Sequence, residues 1–350
     1  MTAAVEPAVL VSVDGQAGRI TLNRPDTLNA LTLEMVRLID AALDQFERDE
    51  SIATIVIDSV GERALCAGGD IRSLYEAAVA KDPSPRTFWA EEYRLDARIA
   101  RSAKPIVAVM DGIVMGGGVG ISAHASHRVV TERSVVAMPE VGIGFAPDVG
   151  GTWLLSHAPG ELGTHAALTT DRLGAADAIM CGLADRYVSV EGLAALYLEL
   201  GTVDADRAVA DAASDPPEGK LAERRRWIDQ CYSSDSAEEI VARLRARGDE
   251  ASAAADKIES NSPTAVKVAL RALRTARQLP GLERCFEMEY RISTTFLDTP
   301  DFVEGIRAAV IDKDRSPHWN PAWLQDVGDL DRFFAARTDD LRLDVVESAR

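Results

Sequence analysis

Two acidic residues lie in a loop whose composition suits chemistry. Residues 137–151 place Glu140 and Asp148 eight residues apart in an otherwise apolar segment rich in glycine and proline. A carboxyl group in apolar surroundings has a raised pKa, and such a group suits proton transfer or nucleophilic attack. For either acid taken singly, a solvated loop or a helix cap is the commoner role.

Two further loops are rich in glycine. One runs from Cys66 to Asp70 (CAGGD) and the other from Met115 to Gly120 (MGGGVG), and each follows an apolar run and precedes a helical pattern. Amides at the start of a helix have no partner within it, and glycine lets the backbone approach a ligand closely. Two such sets of N–H groups facing one point would form an oxyanion hole. Tight turns and close helix packing explain the same glycines, so each loop alone is a weak signal.

Several common catalytic and metal-binding patterns are missing from the sequence. The second glycine loop has neither the Lys-Ser/Thr of a phosphate-binding loop nor the spacing G-x-G-x-x-G, and no G-x-S-x-G or H-E-x-x-H occurs anywhere. The four cysteines lack any C-x-x-C spacing, and no histidine cluster lies near them. These observations argue against a nucleotide-phosphate site, a serine hydrolase and a metal site, and they predict reduced thiols.

The composition is that of an ordinary globular protein with an acidic balance. Of 350 residues, 47% are hydrophobic and 27% are charged, and 38 Lys and Arg face 56 Asp and Glu, for a net charge of −18. Such a charge disfavours nucleic acid as a partner. Neither a basic leader nor an apolar run of membrane-spanning length is evident. The sequence therefore predicts a cytoplasmic protein that binds neither nucleic acid nor membrane.

Strands and helices alternate around these loops through about residue 190. Residues 9–13 and 19–23 predict a hairpin, and apolar residues at three-to-four-residue spacing predict an amphipathic helix capped by Thr32. The apolar, β-branched runs 52–57 and 105–110 are typical of parallel strands covered on both faces. This alternation favours an α/β fold with its site on the loops.

The second half of the chain has a different pattern. No convincing strand follows residue 190, and helices are predicted from Ser262-Pro263, over 282–297 and from near Thr299. We therefore predict an α/β core with the site in residues 1–200, followed by a mainly helical region in residues 201–350.

Four segments resemble the enoyl-CoA hydratase/isomerase (crotonase) superfamily in order and separation: ITLNRPDTLNAL, LCAGGDI, KPIVAVMDGIVMGGGVGIS and AMPEVGIGFAPDVGG. This resemblance covers about residues 8 to 200. Within the superfamily the chain is most similar to 3-hydroxyisobutyryl-CoA hydrolases, through FWAEEYRLDARIA, the run PDVGG and the C-terminal EMEYRISTTFLDTPDFVEGIRAAVIDKDRSPHWNP. These segments extend the resemblance to about residue 325. It implies a spiral of ββα turns that carries CoA thioesters, followed by a helical region.

The resemblance also implies roles for particular residues. It places the oxyanion-hole amides at Gly69 and Gly117, gives Glu140 and Asp148 an action on the substrate, and lines the acyl pocket with Glu92. The remaining substrate-binding candidates would border the thioester, the pantetheine or the anionic phosphates of CoA: Ala67, Gly68, Asp70, Ile71, Gly116, Lys313 and Arg24.

Position 120 bears on the reaction within the superfamily. Hydratases carry a catalytic glutamate three residues after the oxyanion glycine, and this chain has Gly120 there. The hydrolases that the chain resembles have glycine at that position and an aspartate eight residues after the glutamate, as Asp148 follows Glu140. The resemblance thus implies hydrolysis of a short 3-hydroxyacyl-CoA, either 3-hydroxyisobutyryl-CoA or 3-hydroxypropionyl-CoA, with Glu140 as nucleophile or as general base.

Two other functions stay open on the sequence. An enoyl-CoA hydratase or isomerase is one, since proton transfer by a single carboxylate also fits Glu140; a non-catalytic acyl-CoA binding protein is the other. The hydrolase resemblance implies no metal or redox cofactor, because CoA enters as part of the substrate, and it implies a place in valine breakdown. Superfamily members commonly form trimers or dimers of trimers, and the sequence leaves open whether this chain is a homo-oligomer.

Overall fold

A computed structural model of the chain describes residues 6–343. Its strands are β1 (Val9–Asp14), β2 (Ala17–Leu22), β3 (Thr54–Ser59), β4 (Ala64–Cys66), β5 (Ile106–Met110), β6 (Ile113–Met115), β7 (His127–Val130), β8 (Val135–Ala137) and β9 (Arg186–Tyr187). Its helices are α1 (Leu33–Arg48), α2 (Ile71–Ala80), α3 (Ser84–Arg101), α4 (Gly117–Ala123), α5 (Gly151–Ser156), α6 (Leu162–Thr169), α7 (Ala175–Met180), α8 (Leu193–Leu200), α9 (Ala205–Ala212), α10 (Leu221–Cys231), α11 (Ala237–Arg247), α12 (Asp249–Ser260), α13 (Pro263–Ala276), α14 (Leu282–Phe296), α15 (Pro300–Ile306) and α16 (Asp331–Phe334).

The chain divides into two compact units, each assembled from three segments. The first unit comprises the described residues of Met1–Asp70 together with Arg98–Ala137 and Arg172–Ala222. The second comprises Ile71–Ala97, Met138–Asp171 and the described residues of Glu223–Arg350. The division at residue 200 that the sequence suggests stays a prediction.

The first unit contains two sheets. One has six strands in the order β1-β2-β3-β5-β7-β9, antiparallel between β1 and β2 and parallel elsewhere, and the other has the parallel order β4-β6-β8. Successive strand pairs, β3 with β4, β5 with β6 and β7 with β8, each contribute one strand to each sheet. This stacking of repeated turns is the ββα spiral that the resemblance implies, and the predicted α/β fold is confirmed.

Local sequence signals account for the β1–β2 hairpin of the six-stranded sheet and for the helices that pack near it. The hairpin closes through Gly15 and Gln16, since Asp14 pairs with Ala17. Thr32 caps α1 by accepting a hydrogen bond from the Met35 amide at 3.2 Å, as its sequence position predicts. The apolar stripe of α1 is buried, and helices α8 and α9 cover one face of the six-stranded sheet in a single hydrophobic cluster.

The second unit is helical. Helix α13 begins after Ser262, whose hydroxyl accepts a hydrogen bond from the Ala265 amide at 3.1 Å, and it contacts α5, α6 and α14. Helices α14 and α15 lie where the sequence predicts helices. No strand follows Tyr187 within the described part of the chain, so the predicted helical C-terminal region is confirmed.

Two further features bear on sequence-based expectations. Across residues 6–343, no helix is long and apolar enough to cross a membrane. All four cysteines are buried as thiols, namely Cys66, Cys181, Cys231 and Cys285.

Candidate active site

Five carboxyl groups are buried together in the second unit. Glu92 and Asp96 lie on α3, Glu140 begins a short 3₁₀ helix (Glu140–Ile143), Asp148 lies in the loop before α5, and Glu289 lies on α14. Each of these residues is at most 6% exposed. This cluster, called the acid cluster below, contains three of the four acids that the sequence marks as site candidates, all except Asp70, and it adds Asp96 and Glu289.

Burial raises the pKa of every member of the acid cluster. It raises the pKa of Asp148 to about 7 and that of Glu289 to about 8. The pKa values of Glu92, Asp96 and Glu140 lie well above the ordinary carboxyl range, first because of desolvation and then because of the charge of neighbouring acids such as Asp148. These raised pKa values favour the protonated forms of the buried acids more than in solvent, which suits the acid cluster to proton transfer.

Helix α3 presents its acids through helical spacing. Glu92 and Asp96 are four residues apart, so they lie on the same face of the helix. One turn earlier on this helix, the indole of Trp89 stacks on Phe145 of the Glu140–Asp148 loop, with ring centroids 5.4 Å apart. This aromatic contact packs α3 against the loop that carries the other two acids.

The loop from Glu140 to Asp148 holds its shape through backbone positions with positive φ. Gly144 has φ +71°, and a Cβ there would lie 2.1 Å from the carbonyl oxygen of Asp301, so only glycine fits. Val149 has φ +53°, a region that β-branched residues rarely adopt. Strain of this kind persists where surrounding contacts impose it and concentrates at functional sites. Here it lies directly beside Asp148.

Asp148 and its loop have buried hydrogen-bond partners. The phenol of Tyr93 donates to Asp148 Oδ2 at 2.7 Å, and the phenol oxygen of Tyr93 lies 2.8 Å from the hydroxyl of Ser293. The carboxyl oxygens of Glu289 accept from the amides of Gly150 at 2.7 Å and Thr152 at 2.9 Å. Both α3 and α14 thus support the loop on which Asp148 lies.

Sequence reasoning missed four of these residues. Asp96 could have been found, because it follows Glu92 by one helical turn. Tyr93, Ser293 and Glu289 lie inside segments that mark the resemblance, yet no motif distinguishes their polar side chains from those of solvated helix positions.

Several oxygens of the acid cluster have no hydrogen-bond partner among the described residues. They are Glu92 Oε1, Glu140 Oε2 and both carboxyl oxygens of Asp96. Nearly all buried polar groups in proteins are hydrogen-bonded, so each exception calls for a functional or structural explanation. Oxygens of this kind, with raised pKa values, are suited to exchange protons or hydrogen bonds with a bound molecule.

The two glycine loops lie side by side in the first unit. Leu31 forms a parallel bridge around Gly69, using the carbonyl of Gly68 and the amide of Asp70, so the bridge does not use the Gly69 amide. A Cβ on Gly68, whose φ is +111°, would lie 3.9 Å from the amide nitrogen of Gly117. Gly117 is the first residue of α4, where backbone N–H groups lack partners within the helix.

Close packing of these loops requires a second glycine. A Cβ on Gly118 would lie 2.2 Å from the carbonyl oxygen of Cys66, so the helix can approach the CAGGD loop only without a side chain there. The structure therefore brings the predicted oxyanion amides of Gly69 and Gly117 into neighbouring loops of one unit. Their role as an oxyanion hole stays a prediction.

The other binding candidates fall into both units. Ala67, Asp70 and Gly116 are half-buried beside the two amides of the first unit. Arg24 donates to the carbonyl of Ala30 at 2.6 Å, and its guanidinium group also lies 3.5 Å from Oδ2 of Asp70 in the CAGGD loop.

Two binding candidates belong to the second unit. Ile71 is the first residue of α2, and Lys313 is exposed with φ +58°. The binding roles of all these residues stay predictions.

The chain is similar to known proteins over nearly its whole length. The family model described as enoyl-CoA hydratase/isomerase matches residues 17–334. A relative from Gallus gallus named 3-hydroxyisobutyryl-CoA hydrolase, mitochondrial, is 41% identical over 333 residues, which is 92% of this chain and 86% of the relative. The Homo sapiens protein of that name is 40% identical over 335 residues, with coverage of 92% and 86%.

Two solved structures match the fold closely but carry different names. A carnitinyl-CoA dehydratase from Mycobacterium thermoresistibile is 46% identical, with a TM-score of 0.93 over 97% of this chain and 100% of that one. An enoyl-CoA hydratase from Rhodobacter sphaeroides is 41% identical, with a TM-score of 0.90 over 96% of this chain and 100% of that one.

The curated relatives correct one expectation. The cytoplasmic location predicted from the sequence is wrong by this comparison, because the relatives from both Gallus gallus and Homo sapiens are named mitochondrial. Reduced thiols and the lack of an apolar spanning segment are compatible with any reducing aqueous compartment, so they could not identify the cytoplasm.

Proposed function

The chain belongs to the enoyl-CoA hydratase/isomerase (crotonase) family, and from this premise we propose that it hydrolyses the thioester of a short 3-hydroxyacyl-CoA to the free acid and CoA. The family supports an acyl-CoA as the substrate. The curated relatives at about 40% identity support 3-hydroxyisobutyryl-CoA as the particular acyl-CoA that is hydrolysed. The reaction needs no group beyond water, since CoA enters as part of the substrate.

The observation that carries hydrolysis rather than hydration is the identity of residue 120. Addition of water across a double bond is normally managed by two glutamates in this family, and at the position of one of them the chain has Gly120, buried in α4. Glu140, by contrast, is retained, and it is buried in the same cluster as Asp148. This set of acids supports attack on a thioester carbonyl better than hydration of an alkene.

The amides of Gly69 and Gly117 are the proposed oxyanion hole. As the thioester carbonyl becomes tetrahedral, its oxygen gains negative charge, and two backbone N–H donors stabilise that charge without needing to reorganise. Loss of one such donor costs about 3 kcal/mol of barrier in comparable enzymes. The CAGGD and MGGGVG loops lie in contact within one unit, which supports a joint role for their amides.

Glu140 and Asp148 supply the proposed chemistry at the carbonyl carbon. In its ionised form, Glu140 either removes a proton from the attacking water or attacks the carbonyl itself to give an acyl-enzyme anhydride that water then cleaves. In either case the C–S bond breaks, and the sulfur leaves with a proton that Asp148 can provide. A pKa of about 7 keeps Asp148 divided between its acid and base forms at neutral pH, which suits donation and recovery of that proton.

Two assays on the purified protein test the proposal. Free thiol is followed with 3-hydroxyisobutyryl-CoA, and enoyl absorbance is followed with crotonyl-CoA. Release of thiol with little hydration is the expected result, whereas hydration without thiol release would overturn the hydrolase assignment. The 3-hydroxypropionyl ester serves as a second substrate; one methyl group discriminates by only about 1–3 kcal/mol in an apolar pocket.

A hydratase or dehydratase is the second candidate function. It is favoured by the names of the two solved structures that are 46% and 41% identical to this chain. The crotonyl-CoA assay measures it directly. A non-catalytic acyl-CoA binding protein would bind either ester tightly without turnover in both assays.

The physiological setting follows from the substrate. The names of the curated relatives support 3-hydroxyisobutyryl-CoA as the substrate, and the family resemblance implies that its hydrolysis belongs to valine breakdown. Accumulation of 3-hydroxyisobutyryl-CoA in cells lacking the protein would test this role.

Members of this fold are often oligomers, and sedimentation equilibrium would give the number of copies in the assembly.

A further inference from the structure

A buried chain of three oxygens ends at Asp148. Tyr93 Oη lies 2.7 Å from Asp148 Oδ2 and 2.8 Å from Ser293 Oγ. All three residues are at most 6% exposed, so water does not compete freely for these hydrogen bonds. Tyr93 lies on α3 and Ser293 on α14, so the chain of oxygens links two helices to the loop that carries the acid.

Resting on the hydrolysis proposed above, we propose that Tyr93 is a positioning residue whose phenol, supported by Ser293, holds one oxygen of the Asp148 carboxyl group in both of its protonation states. When Asp148 is ionised, Ser293 donates to Tyr93 and Tyr93 donates to Asp148. When Asp148 is protonated at Oδ1, Tyr93 still donates to Oδ2. When the proton lies on Oδ2, that oxygen donates to Tyr93, and Tyr93 donates to Ser293. A hydroxyl group has one hydrogen and two lone pairs, so each arrangement keeps both hydrogen bonds.

This reversal matters because Asp148 must change protonation during turnover. A carboxyl group with a one-way donor would lose that hydrogen bond whenever the proton lay on the bonded oxygen. With the reversible chain, Asp148 gives a proton from Oδ1 to the leaving thiolate and recovers one there, while Tyr93 holds Oδ2 and the orientation of the carboxyl group stays the same. The aromatic ring of Tyr93 is itself fixed, with ring centroids 5.9 Å from Phe286 and 6.4 Å from Tyr290.

The electrostatic surroundings of Asp148 give the sign of the expected change. The titratable groups that face it are Glu92, Tyr93 and Asp96 from α3, Glu140 from the 3₁₀ helix and Glu289 from α14. Burial raises the pKa of Asp148, whereas the hydrogen bond from Tyr93 lowers it. Removing the phenol oxygen therefore moves the pKa of Asp148 further up.

The test compares Tyr93→Phe and Ser293→Ala with Tyr290→Phe as the matched control. Tyr290 lies on the same helix as Ser293, contacts the Tyr93 ring, and donates to the backbone carbonyl of Arg86 at 3.3 Å. Two properties are measured for each variant: kcat and KM for 3-hydroxyisobutyryl-CoA across pH, and titration of Asp148 in the ligand-free protein by ¹³C-carboxyl NMR, assigned with Asp148→Asn.

We expect Tyr93→Phe to lower kcat by about tenfold at pH 7 with KM nearly unchanged, as for loss of a hydrogen bond to a charged group. The pKa of Asp148 measured by NMR should rise by about one unit, which is a tenfold change in its protonation equilibrium. Ser293→Ala should also lower kcat and raise the pKa of Asp148, but by smaller amounts than Tyr93→Phe. Tyr290→Phe should leave both kcat and the pKa of Asp148 unchanged.

An unchanged Asp148 titration in Tyr93→Phe would overturn the inference, as would an equal shift in Tyr290→Phe. If the wild-type protein releases no thiol, the proposed function fails; the NMR titration, which needs no substrate, still decides whether Tyr93 controls Asp148. If Tyr93→Phe fails to fold, Ser293→Ala gives the decision, because an unchanged titration there contradicts the reversible chain.

Discussion

The carboxyl group of Glu289 accepts a hydrogen bond from the amide of Gly150 at 2.7 Å, across 139 residues of sequence. Its other oxygen accepts from the amide of Thr152 at 2.9 Å. These amides flank the first residue of α5, where N–H groups have no partner within the helix. One buried side chain of α14 therefore satisfies two backbone donors immediately after Asp148.

Removal of Glu289 is expected to destabilise this loop. Glu289→Gln keeps one acceptor oxygen but places an NH₂ donor against the second backbone amide, so it should unfold at a lower urea midpoint than the wild type. Glu289→Ala leaves two buried amides without acceptors, and each costs about 1–3 kcal/mol. Urea denaturation at pH 6 measures both variants, with exposed Glu50→Ala as the control. Equal midpoints for Glu289→Ala and Glu50→Ala would contradict the expectation.

The raised pKa of Asp148 predicts how stability depends on pH. Its pKa is about 7 in the folded protein and near 3.8 when unfolded, so between these values the folded state binds more protons. The free energy of unfolding should therefore fall as pH rises from about 4 to 7. For this one group, the equilibrium constant for folding decreases by up to about tenfold per pH unit. Asp148→Asn removes this contribution and should reduce the slope.

Urea denaturation at pH 5 and pH 8 measures this dependence. The matched control is Asp326→Asn, since Asp326 is exposed. A slope that is the same in Asp148→Asn and in the wild type would show that Asp148 titrates alike in the folded and unfolded states, contrary to its burial.

Contact between the glycine loops predicts that a side chain at Gly118 will destabilise the protein. Gly118→Ala places a Cβ 2.2 Å from the carbonyl oxygen of Cys66, and the backbone must move to relieve the overlap. We expect a loss of about 1–3 kcal/mol in the free energy of unfolding, as for overpacked cores. Thiol release should also fall, because the adjacent Gly117 amide shifts. Gly328→Ala is the control, since no atom lies within 4 Å of its added Cβ; a stable, fully active Gly118→Ala protein would refute the close packing.

Glu140 is expected to be indispensable for thiol release. Glu140→Gln keeps the size of the side chain but removes its capacity to accept a proton or to attack a carbonyl. Acid–base groups contribute about 10²- to 10⁴-fold, so kcat should fall by at least about a hundredfold. The thiol assay measures this loss, and exposed Glu50→Gln should be unaffected. Near-normal hydrolysis by a folded Glu140→Gln protein would remove Glu140 from the mechanism.

Much of the local structure could be predicted from the sequence because its signals are short-range. The hairpin, the Thr32 cap of α1 and the helix that starts after Ser262 each depend on residues within a few positions of one another. The change from alternating strands and helices to helices alone was equally readable, since each element carries its own periodicity. The glycine-rich and acidic motifs also predicted the family and its class of reaction.

Only the tertiary structure decided which polar side chains share the surroundings of Asp148. Tyr93 meets Ser293 across 200 residues, and Glu289 meets Gly150 across 139, on helices whose sequences mark these positions in no special way. Helical spacing places Asp96 on the same face as Glu92, but its complete burial and raised pKa depend on desolvation and on neighbouring charges that the fold assembles. Burial and long-range hydrogen bonding are properties of packing, and periodicity along one chain does not encode them residue by residue.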